Sequence, residues 1–401
     1  MRLPLILILP VLLFGALLDV YICRAVWARC RRHASLWRRV ALWSSVLLPA
    51  IIVAVVAWPK KTGGDGGLAV LMWILYSYLS IYVPKTVFVL VDLLASIPRL
   101  WKRRRVKCVT RAAWLCSLAV FGLMWWGALV NRFRIDVNEV EIVRSDLPAA
   151  FDGFTIAQIS DLHVGSYGAD TAYVGKVVRA VNALNPDLIV FTGDIVNRRT
   201  SELQPFVKVL SGLDATEGVC SVLGNHDYGD YFQWPSPAEK AENMAMMYGM
   251  QSRMRWNLLD NATRYIVRGA DSLAVVGVGN VGDPPFHTYG NLSEAYPGDP
   301  ADGMFKILLS HNPAHWDNDI CDSPDKNIAL TLSGHTHAMQ MEIAGLSPAA
   351  MRYKRWGGLY ADADSAHLLY VNIGIGEVGI PARIGATPEI TLFTLRDGNN
   401  R

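Results

Sequence analysis

Four apolar stretches, at about 3–22, 40–58, 68–91 and 111–131, fill most of the first third of this 401-residue chain. A helix needs about 20 mostly apolar residues to cross the hydrocarbon layer of a bilayer, and all four stretches approach that length. They predict an N-terminal bundle of about four transmembrane helices within residues 1–134, and so a multi-pass integral membrane protein. The third stretch is the least regular, because it carries Pro84, Lys85 and Asp92. The plainer reading is a kink or an early end there, with Lys85 near the headgroups. The other reading makes Lys85 and Asp92 partners inside the bundle. No small-x-small cleavage site follows the first stretch and further spans come after it, which favours an uncleaved anchor over a signal peptide.

Charge sets the expected orientation. The loop after the first stretch holds Arg24, Arg29, Arg31, Arg32, Arg38 and Arg39. The loop after the third holds Arg99, Lys102, Arg103, Arg104, Arg105, Lys107 and Arg111, whereas the middle loop has only Lys60 and Lys61. The positive-inside rule places the two rich loops in the cytoplasm. With four spans, everything from 132 onward is then expected on the extracytoplasmic side; if the third stretch does not cross, the side inverts. The formal net charge of +3 gives no general affinity for nucleic acid, and no nucleic-acid binding is expected. The six cysteines form no CxxC pair, so neither a zinc knuckle nor a dense disulfide framework is signalled. Cys220 reads as a small buried hydrophobe, with a Cys220–Cys321 bridge left open.

The texture changes at about 135, and residues 135–401 read as a separate soluble domain. "TIAQISDLHVG", "PDLIVFTGDIV" and "GVCSVLGNHD" read as strands, separated by helices expected over 170–184 and 202–213. A helix is expected over 236–254. Strands then dominate, in "LAVVGVGNV", "FKILLSHNP", "IALTLSGHTH", "LLYVNIGIG" and "EITLFTL". This alternation, followed by mostly strands, predicts an α/β core with mixed sheets.

Polar residues gather where those strands stop. Asp161 and His163 end the first and Asp194 the second. Asn225, His226 and Asp227 end the third; His311 ends a later one, and His335 and His337 close "LSGHTH". Ligands collect outside strand ends in sheets of this kind. The set offers carboxylate and amide oxygen and imidazole nitrogen but no thiolate, which suits manganese, iron or zinc. In D-x-H on extended backbone, residues i and i+2 point the same way, so Asp161 and His163 can hold one ion. His335 and His337 can do likewise, or each can reach a different ion. Gly193, Gly224 and Gly334 allow tight turns and close backbone approach. Asp227 reads either as a partner that orients His226 or a metal ligand, or as a plain turn residue. Asn197 reads as a surface-loop residue or as support for Asp194. His287 is a candidate for the cleft wall, whereas His315 and His367 have no supporting motif.

Taken together, Asp161-x-His163, Gly193-Asp194, Gly224-Asn225-His226-Asp227, His311 and Gly334-His335-Thr336-His337 resemble the signature blocks of calcineurin-like metallophosphoesterases. The resemblance spans about 150–340, and residues 372–395 resemble the C-terminal part of bacterial membrane-anchored members. It implies two mixed β-sheets sandwiched and flanked by helices. It implies two divalent metal ions: one held by Asp161, His163 and His337, the other by Asn225, His311 and His335, with Asp194 bridging. His226 would stand over the substrate phosphate, and a metal-activated water would attack phosphorus. The implied activity is hydrolysis of a phosphate mono- or diester, with an envelope lipid or a nucleotide among the candidate substrates. Some bacterial relatives cleave a UDP-linked lipid A precursor, a cytoplasmic substrate at odds with the expected topology. The competing expectation is non-enzymatic: a membrane-embedded regulator whose soluble domain senses a phosphorylated ligand.

Overall fold

The computed structural model describes residues 5–27, 34–57, 65–282, 284, 286–296, 302–321 and 327–400. Lys60, Lys61, Cys30 and the arginines at 29, 31 and 32 lie outside the described residues. The chain divides into two compact units, Met1–Val130 with Gly379–Ala382, and Asn131–Val378 with Arg383–Arg401.

The first unit contains helices α1 (Leu5–Trp27), α2 (Ala34–Ala57), α3 (Asp65–Leu94) and α4 (Lys107–Leu129). Among the described residues, two segments are long and apolar enough to cross a membrane, Ala69–Trp101 and Lys107–Phe133. Within α2 the apolar part is shorter, Ser45–Ala54, so the expectation of four full spans is met by length and composition in two. Helix α3 runs through Pro84 without ending there. Lys85 Nζ pairs with Asp19 at 2.6 Å, and Tyr82 donates to the same carboxylate. Asp92 pairs with Arg105 and accepts from Tyr21 at 2.9 Å. Both charges are thus internal, but each has its own partner. A charge held among apolar helices needs such a partner, because an unpaired one would cost several kcal/mol or be neutralised, a lysine by losing a proton and a carboxylate by gaining one.

The second unit is built on two six-stranded mixed sheets. Its strands are β1 (Asp136–Arg144), β2 (Thr155–Ile159), β3 (Leu188–Phe191), β4 (Val219–Ser221), β5 (Trp256–Leu258), β6 (Ala262–Arg268), β7 (Asp271–Gly277), β8 (Phe305–Leu309), β9 (Leu330–Ser333), β10 (Gly358–Ala361), β11 (Leu368–Val371) and β12 (Glu389–Asp397). The first sheet has the order β1-β12-β2-β3-β4-β5 and the second β10-β11-β9-β8-β7-β6. Strands β2, β3 and β4 run parallel, as do β7, β8, β9 and β11. Parallel strands are covered on both faces. "LIVF" and "FKILL" are accordingly buried along their whole length, and even Lys306 is enclosed, with its Nζ held by Asp302 at 2.5 Å. Helices cover the outer face of the first sheet. In α5 (Ala172–Asn182), Val174, Val177, Val178 and Val181 lie on one buried stripe, each contributing about 1.5–3 kcal/mol of apolar transfer.

The expected helix over 202–213 is instead a 3-10 segment, Thr200–Phe206, that gives way to the short α6 (Val207–Leu210). Pro205 has no N–H for an α-helical bond, and Glu202 turns its carboxylate back onto the Asn197 N–H at 2.6 Å. The helix expected over 236–254 is α7 (Pro237–Arg253), capped by Ser236, whose hydroxyl accepts from the Glu239 N–H. Four strands went unread in the sequence: β1, β5, β6 and β10. Cys220 is a buried thiol, and neither it nor Cys321 is in a disulfide, which removes the bridge.

Between the sheets, Phe393 of β12 meets Tyr370 of β11 edge to face with ring centroids 5.0 Å apart, and Phe393 is completely buried. Replacing Phe393 by Ala is expected to cost about 3–5 kcal/mol. The denaturant midpoint of the full chain in detergent, followed by near-UV circular dichroism, checks this; a loss below about 1 kcal/mol would mean that the inter-sheet core does not carry the fold.

Candidate metal centre

The parallel strands β2, β3 and β4 of the first sheet and β8 and β9 of the second each end in a loop that carries one part of the site. Those loops are tied to one another by backbone. Asp161 N–H donates to Gly193 O at 2.9 Å, His163 N–H to Asp194 O at 3.1 Å and Gly334 N–H to His311 O at 2.9 Å. Asp161, His163, Asp194, His335 and His337 all have positive φ. The D-x-H pair therefore does not converge by strand alternation, as the sequence suggested. It converges because both residues sit in left-handed loop backbone after β2 has ended, a conformation costly for such residues and held only by its surroundings. Close approach also fixes two glycines. Gly193 has φ +97° and a Cβ there would lie 2.6 Å from the Gly224 nitrogen, while a Cβ on Gly224 would strike the Asp194 carboxylate.

The nine residues singled out in the sequence fall into one place, and three ligand-like groups can be drawn among them: Asp161, His163 and His337; His163, Asp194 and His226; and Asp194, His311 and His335. Asp161 Oδ1 is 3.1 Å from His337 Nε2, which in turn is 3.1 Å from His163 Nε2. Asp194 Oδ2 is 3.6 Å from His163 Nε2 and 3.1 Å from His311 Nε2. His311 Nε2 is 3.3 Å from His335 Nδ1. His335 and His337, two residues apart, thus diverge to opposite ends of the cluster, which settles the alternative that the sequence left open. Asn225 donates through Nδ2 to the Tyr231 hydroxyl at 2.8 Å, while its buried Oδ1 has no partner.

The outer contacts point the imidazole lone pairs inward. His163 Nδ1–H donates to Val196 O at 3.1 Å and His311 Nδ1–H to Thr192 O at 2.7 Å, leaving Nε2 of each ring toward the cluster. His335 turns Nε2 to the Tyr353 hydroxyl at 3.1 Å and so presents Nδ1. His226 Nδ1–H donates to Asn197 O at 2.6 Å. Asn197 is therefore a buried support of His226, not a surface-loop residue.

Charge follows the same logic. Burial disfavours the Asp161 carboxylate, but His337 and His311 outweigh it and hold its pKa far below the usual range. Asp194 is likewise held well below, against its burial, by His311, His226 and His163. Burial pushes His163 well below the ordinary imidazole value, and burial with the His311 charge lowers His335 to about 3. Although burial lowers it, His311 is raised to about 9 by Asp194 and Asp161. Carboxylates held ionised, imidazole nitrogens turned inward and an amide oxygen make a donor set that fits divalent cations.

Asp227 does not face the His226 ring. Its carboxylate is fully buried and accepts from four backbone N–H groups: Asp194 at 2.8 Å, Ile195 at 2.9 Å, Val196 at 3.2 Å and Gly224 at 2.9 Å. Of the roles the sequence allowed, the geometry supports positioning of Asp194. Burial and the Asp194 charge together raise Asp227 to about 7.

Sequence reasoning missed the aromatic rim. Only His226 and His335 of the cluster are half-exposed, which marks the opening. Around it, Tyr231 stacks on His226 at 4.2 Å, and Phe286 and Tyr353 meet the His335 ring at 4.8 and 5.5 Å. Phe286, not the exposed His287, reaches the site. His315 is structural, its Nδ1 2.9 Å from the Ser310 hydroxyl. Arg383, completely buried, donates to the Gly376 and Ile373 carbonyls, and its guanidinium lies 3.3 Å from His337 Nδ1. Aromatic residues in a loop carry no spacing signal, and Arg383 lies 46 positions from the histidine it touches.

With this geometry in view, the chain belongs to the calcineurin-like phosphoesterase family, a class of metal-dependent phosphoric ester hydrolases. Residues 154–339, which contain all nine site residues, match the family description "Calcineurin-like phosphoesterase". Residues 1–132 match "Probable Calcineurin-like phosphoesterase, transmembrane domain", which makes this a membrane-localised metallophosphoesterase. Among curated relatives, "Uncharacterized metallophosphoesterase YkuE" of Bacillus subtilis is 32% identical over 71% of this chain and 93% of its own length. The "Transmembrane protein with metallophosphoesterase domain" of Bos taurus is 32% identical over 65% of this chain, which spans only 57% of that relative. The "UDP-2,3-diacylglucosamine pyrophosphatase LpxG" of Chlamydia muridarum is 27% identical over 61% of this chain and 85% of its own length.

Replacing Asp227 by Asn puts a donor where an acceptor faces backbone N–H groups, and leaves at least one of them buried and unanswered. A loss of about 1–3 kcal/mol is expected. A melting temperature unchanged from the native chain would show that the loop ends do not depend on this carboxylate.

Proposed function

We infer that the cluster binds two divalent cations, manganese, iron or zinc, and hydrolyses a phosphate ester whose phosphate enters between His226 and His335. The carrying observation is Asp194: one carboxylate oxygen stands within reach of both His163 and His311, between the two ends of the cluster. Asp161, His163 and His337 suit one ion, and His311 and His335 the other, with Asp194 shared; Asn225, whose buried Oδ1 has no partner among the described residues, is assigned to the second. Such a pair would supply positive charge against the phosphoryl oxygens and lower the pKa of a coordinated water.

The protein's own groups do the rest. His226 is fixed by its Nδ1–H bond to Asn197 O and by stacking on Tyr231, so its Nε2 faces the opening. There it can stabilise charge on the phosphate or hand a proton to the leaving oxygen. The Asp194 Oδ1 atom is kept from swinging by the His226 N–H at 2.8 Å, which couples the bridging carboxylate to the substrate-facing residue. The neutral amide of Asn225 adds a ligand oxygen without adding negative charge, leaving the centre electrophilic. Tyr231, Phe286 and Tyr353 give the mouth an apolar rim, suited to a lipid-borne or aromatic ester. A membrane-bound chain supports an envelope lipid carrying a phosphate or pyrophosphate as substrate; the lipid-named chlamydial relative shares that chemical class, though its UDP-linked substrate belongs to the cytoplasmic side. The excess of Lys and Arg in the loops after the first and third apolar stretches supports an extracytoplasmic catalytic unit.

Hydrolysis of a generic aryl phosphodiester with added manganese tests the reading when paired with metal analysis. His226→Ala is expected to keep its metal and lose about 10²–10⁴-fold in kcat. Asp194→Asn should lose both bound metal and activity. Full turnover in both variants would end the proposal, and metal lost from His226→Ala would make that residue a ligand instead. Orientation is checked separately with a C-terminal alkaline phosphatase fusion, expected to be active; an inactive fusion with a bright cytoplasmic fluorescent counterpart would reverse the side.

A further inference from the structure

Among the described residues of the second unit, the segment between His337 and Tyr353 carries a close-set group of exposed large apolar side chains. Met339, Met341, Ile343, Leu346 and Met351 are all exposed, Leu346 to 77% and Met351 to 92%. These are not side chains on slack backbone. Ile343 and Leu346 exchange both backbone hydrogen bonds, at 2.9 and 3.1 Å, around Ala344 and Gly345, whose φ values of 53° and 77° make a tight hairpin tip. The Ser347 hydroxyl donates to Ala338 O at 2.6 Å and accepts from the Ala349 N–H, starting the short turn Pro348–Met351. At the other end His337, Ala338, Met339 and Gln340 form a left-handed run, with Gln340 Oε1 accepting from Val378 N–H at 2.7 Å and Gln340 O from Ile384 N–H at 2.8 Å. The fold thus spends local strain and several hydrogen bonds to hold large apolar side chains outward. Clustered exposed apolar groups of this kind mark an interaction surface.

Charge and tether length identify the occupant. The exposed cations Arg352 and Lys354 follow directly on Met351, and the segment's one carboxylate, Glu342, is half-buried. An apolar tip with a cationic rim matches the boundary between acyl chains and anionic headgroups. Helix α4 ends at Leu129 and β1 begins at Asp136, so the linking residues span at most about 20–25 Å when fully extended. A unit tethered so closely to an apolar helix meets a bilayer surface far more often than any partner in solution.

We propose that the 339–354 segment docks into the bilayer interface and presents the metal cluster to a phosphate at headgroup depth. Its two ends are the site itself: His337 belongs to the cluster, and the Tyr353 hydroxyl touches His335. Insertion of Leu346 and Met351 sets the depth, Arg352 and Lys354 hold anionic headgroups, and the lipid phosphate reaches the opening without leaving the membrane. The substrate side of this proposal rests on the hydrolase reading above; the docking side does not.

The test uses the full chain in phosphatidylglycerol-containing vesicles. Nitroxide labels at Leu346→Cys, Met351→Cys and, as a water-exposed control on α7, Ser252→Cys are read against the labelled unsubstituted chain as background. Power saturation is expected to show the first two labels relaxed more by oxygen than by a water-soluble nickel chelate, and the third the reverse. Labels at Leu346 and Met351 that behave like the control overturn the proposal, as does spin–spin broadening, which would assign the surface to a second copy. In a functional arm, the Leu346→Glu/Met351→Glu chain should lose at least roughly tenfold on a vesicle-borne aryl phosphodiester lipid, the factor that transfer of even one large apolar side chain is worth. Its rate on the water-soluble aryl phosphodiester should not change. Equal rates on both substrates, or equal losses on both, count against docking. A native chain that hydrolyses neither substrate while its labels still report lipid depth refutes the hydrolase reading and leaves the docking surface standing.

Discussion

One buried carboxylate holds the loop ends of the first sheet together. Asp227 gathers backbone N–H groups from the turn after β3 and the turn after β4 onto two oxygens, and it carries no solvent contact to share that duty. Those turns deliver Asp194, Asn225 and His226. A shift of either would separate the Asp194 oxygens from His163 and His311 on one side and from the His226 N–H on the other. The metal-ligand geometry is therefore set by hydrogen bonds to main chain at one remove from the ligands, where they do not compete with cation binding.

The two sheets contribute unequally but jointly. The first supplies Asp161, His163, Asp194, Asn225 and His226 from the ends of three parallel strands; the second supplies His311, His335 and His337 from the ends of two. Two of the three ligand-like groups draw on both sheets: each group that includes His311, His335 or His337 also takes a carboxylate from the first sheet, whereas His163, Asp194 and His226 come from the first sheet alone. The inter-sheet core around Phe393, Tyr370 and their neighbours is thus a condition of the chemistry as well as of stability. Burial lowers the pKa of His163 and His335, whereas Asp161 and Asp194 are held low against their burial by the neighbouring imidazoles.

The proposed reading, a membrane-bound hydrolase acting on a lipid phosphate, sets two demands: the phosphate and the cations are polar, while the tails of a lipid are not. The aromatic rim of Tyr231, Phe286 and Tyr353 and the apolar 339–351 segment both lie at the boundary between those demands. Inside the first unit the same tension is met by pairing, Lys85 with Asp19 and Arg105 with Asp92.

The polar residues at strand ends were legible in the sequence because their chemistry is conspicuous after continuous apolar runs such as "LIVF". The central strands were legible for the same reason: burial on both faces leaves no polar position to interrupt the pattern. The strands that escaped notice, β1, β5, β6 and β10, are the outermost strands of the two sheets, where solvent permits "VNEVEIVR" or "TRYIVR" and the apolar signal is diluted. By itself the sequence determined the class of chemistry, the metal-suited donor set and the presence of apolar helices. Tertiary structure decided which end of the cluster each of His335 and His337 joins, that Asp227 braces main chain and not His226, and that Arg383, Tyr231 and Tyr353 border the site. Those outcomes depend on left-handed loop backbone and on contacts between residues far apart in the chain, and neither leaves a periodic trace in the order of the amino acids.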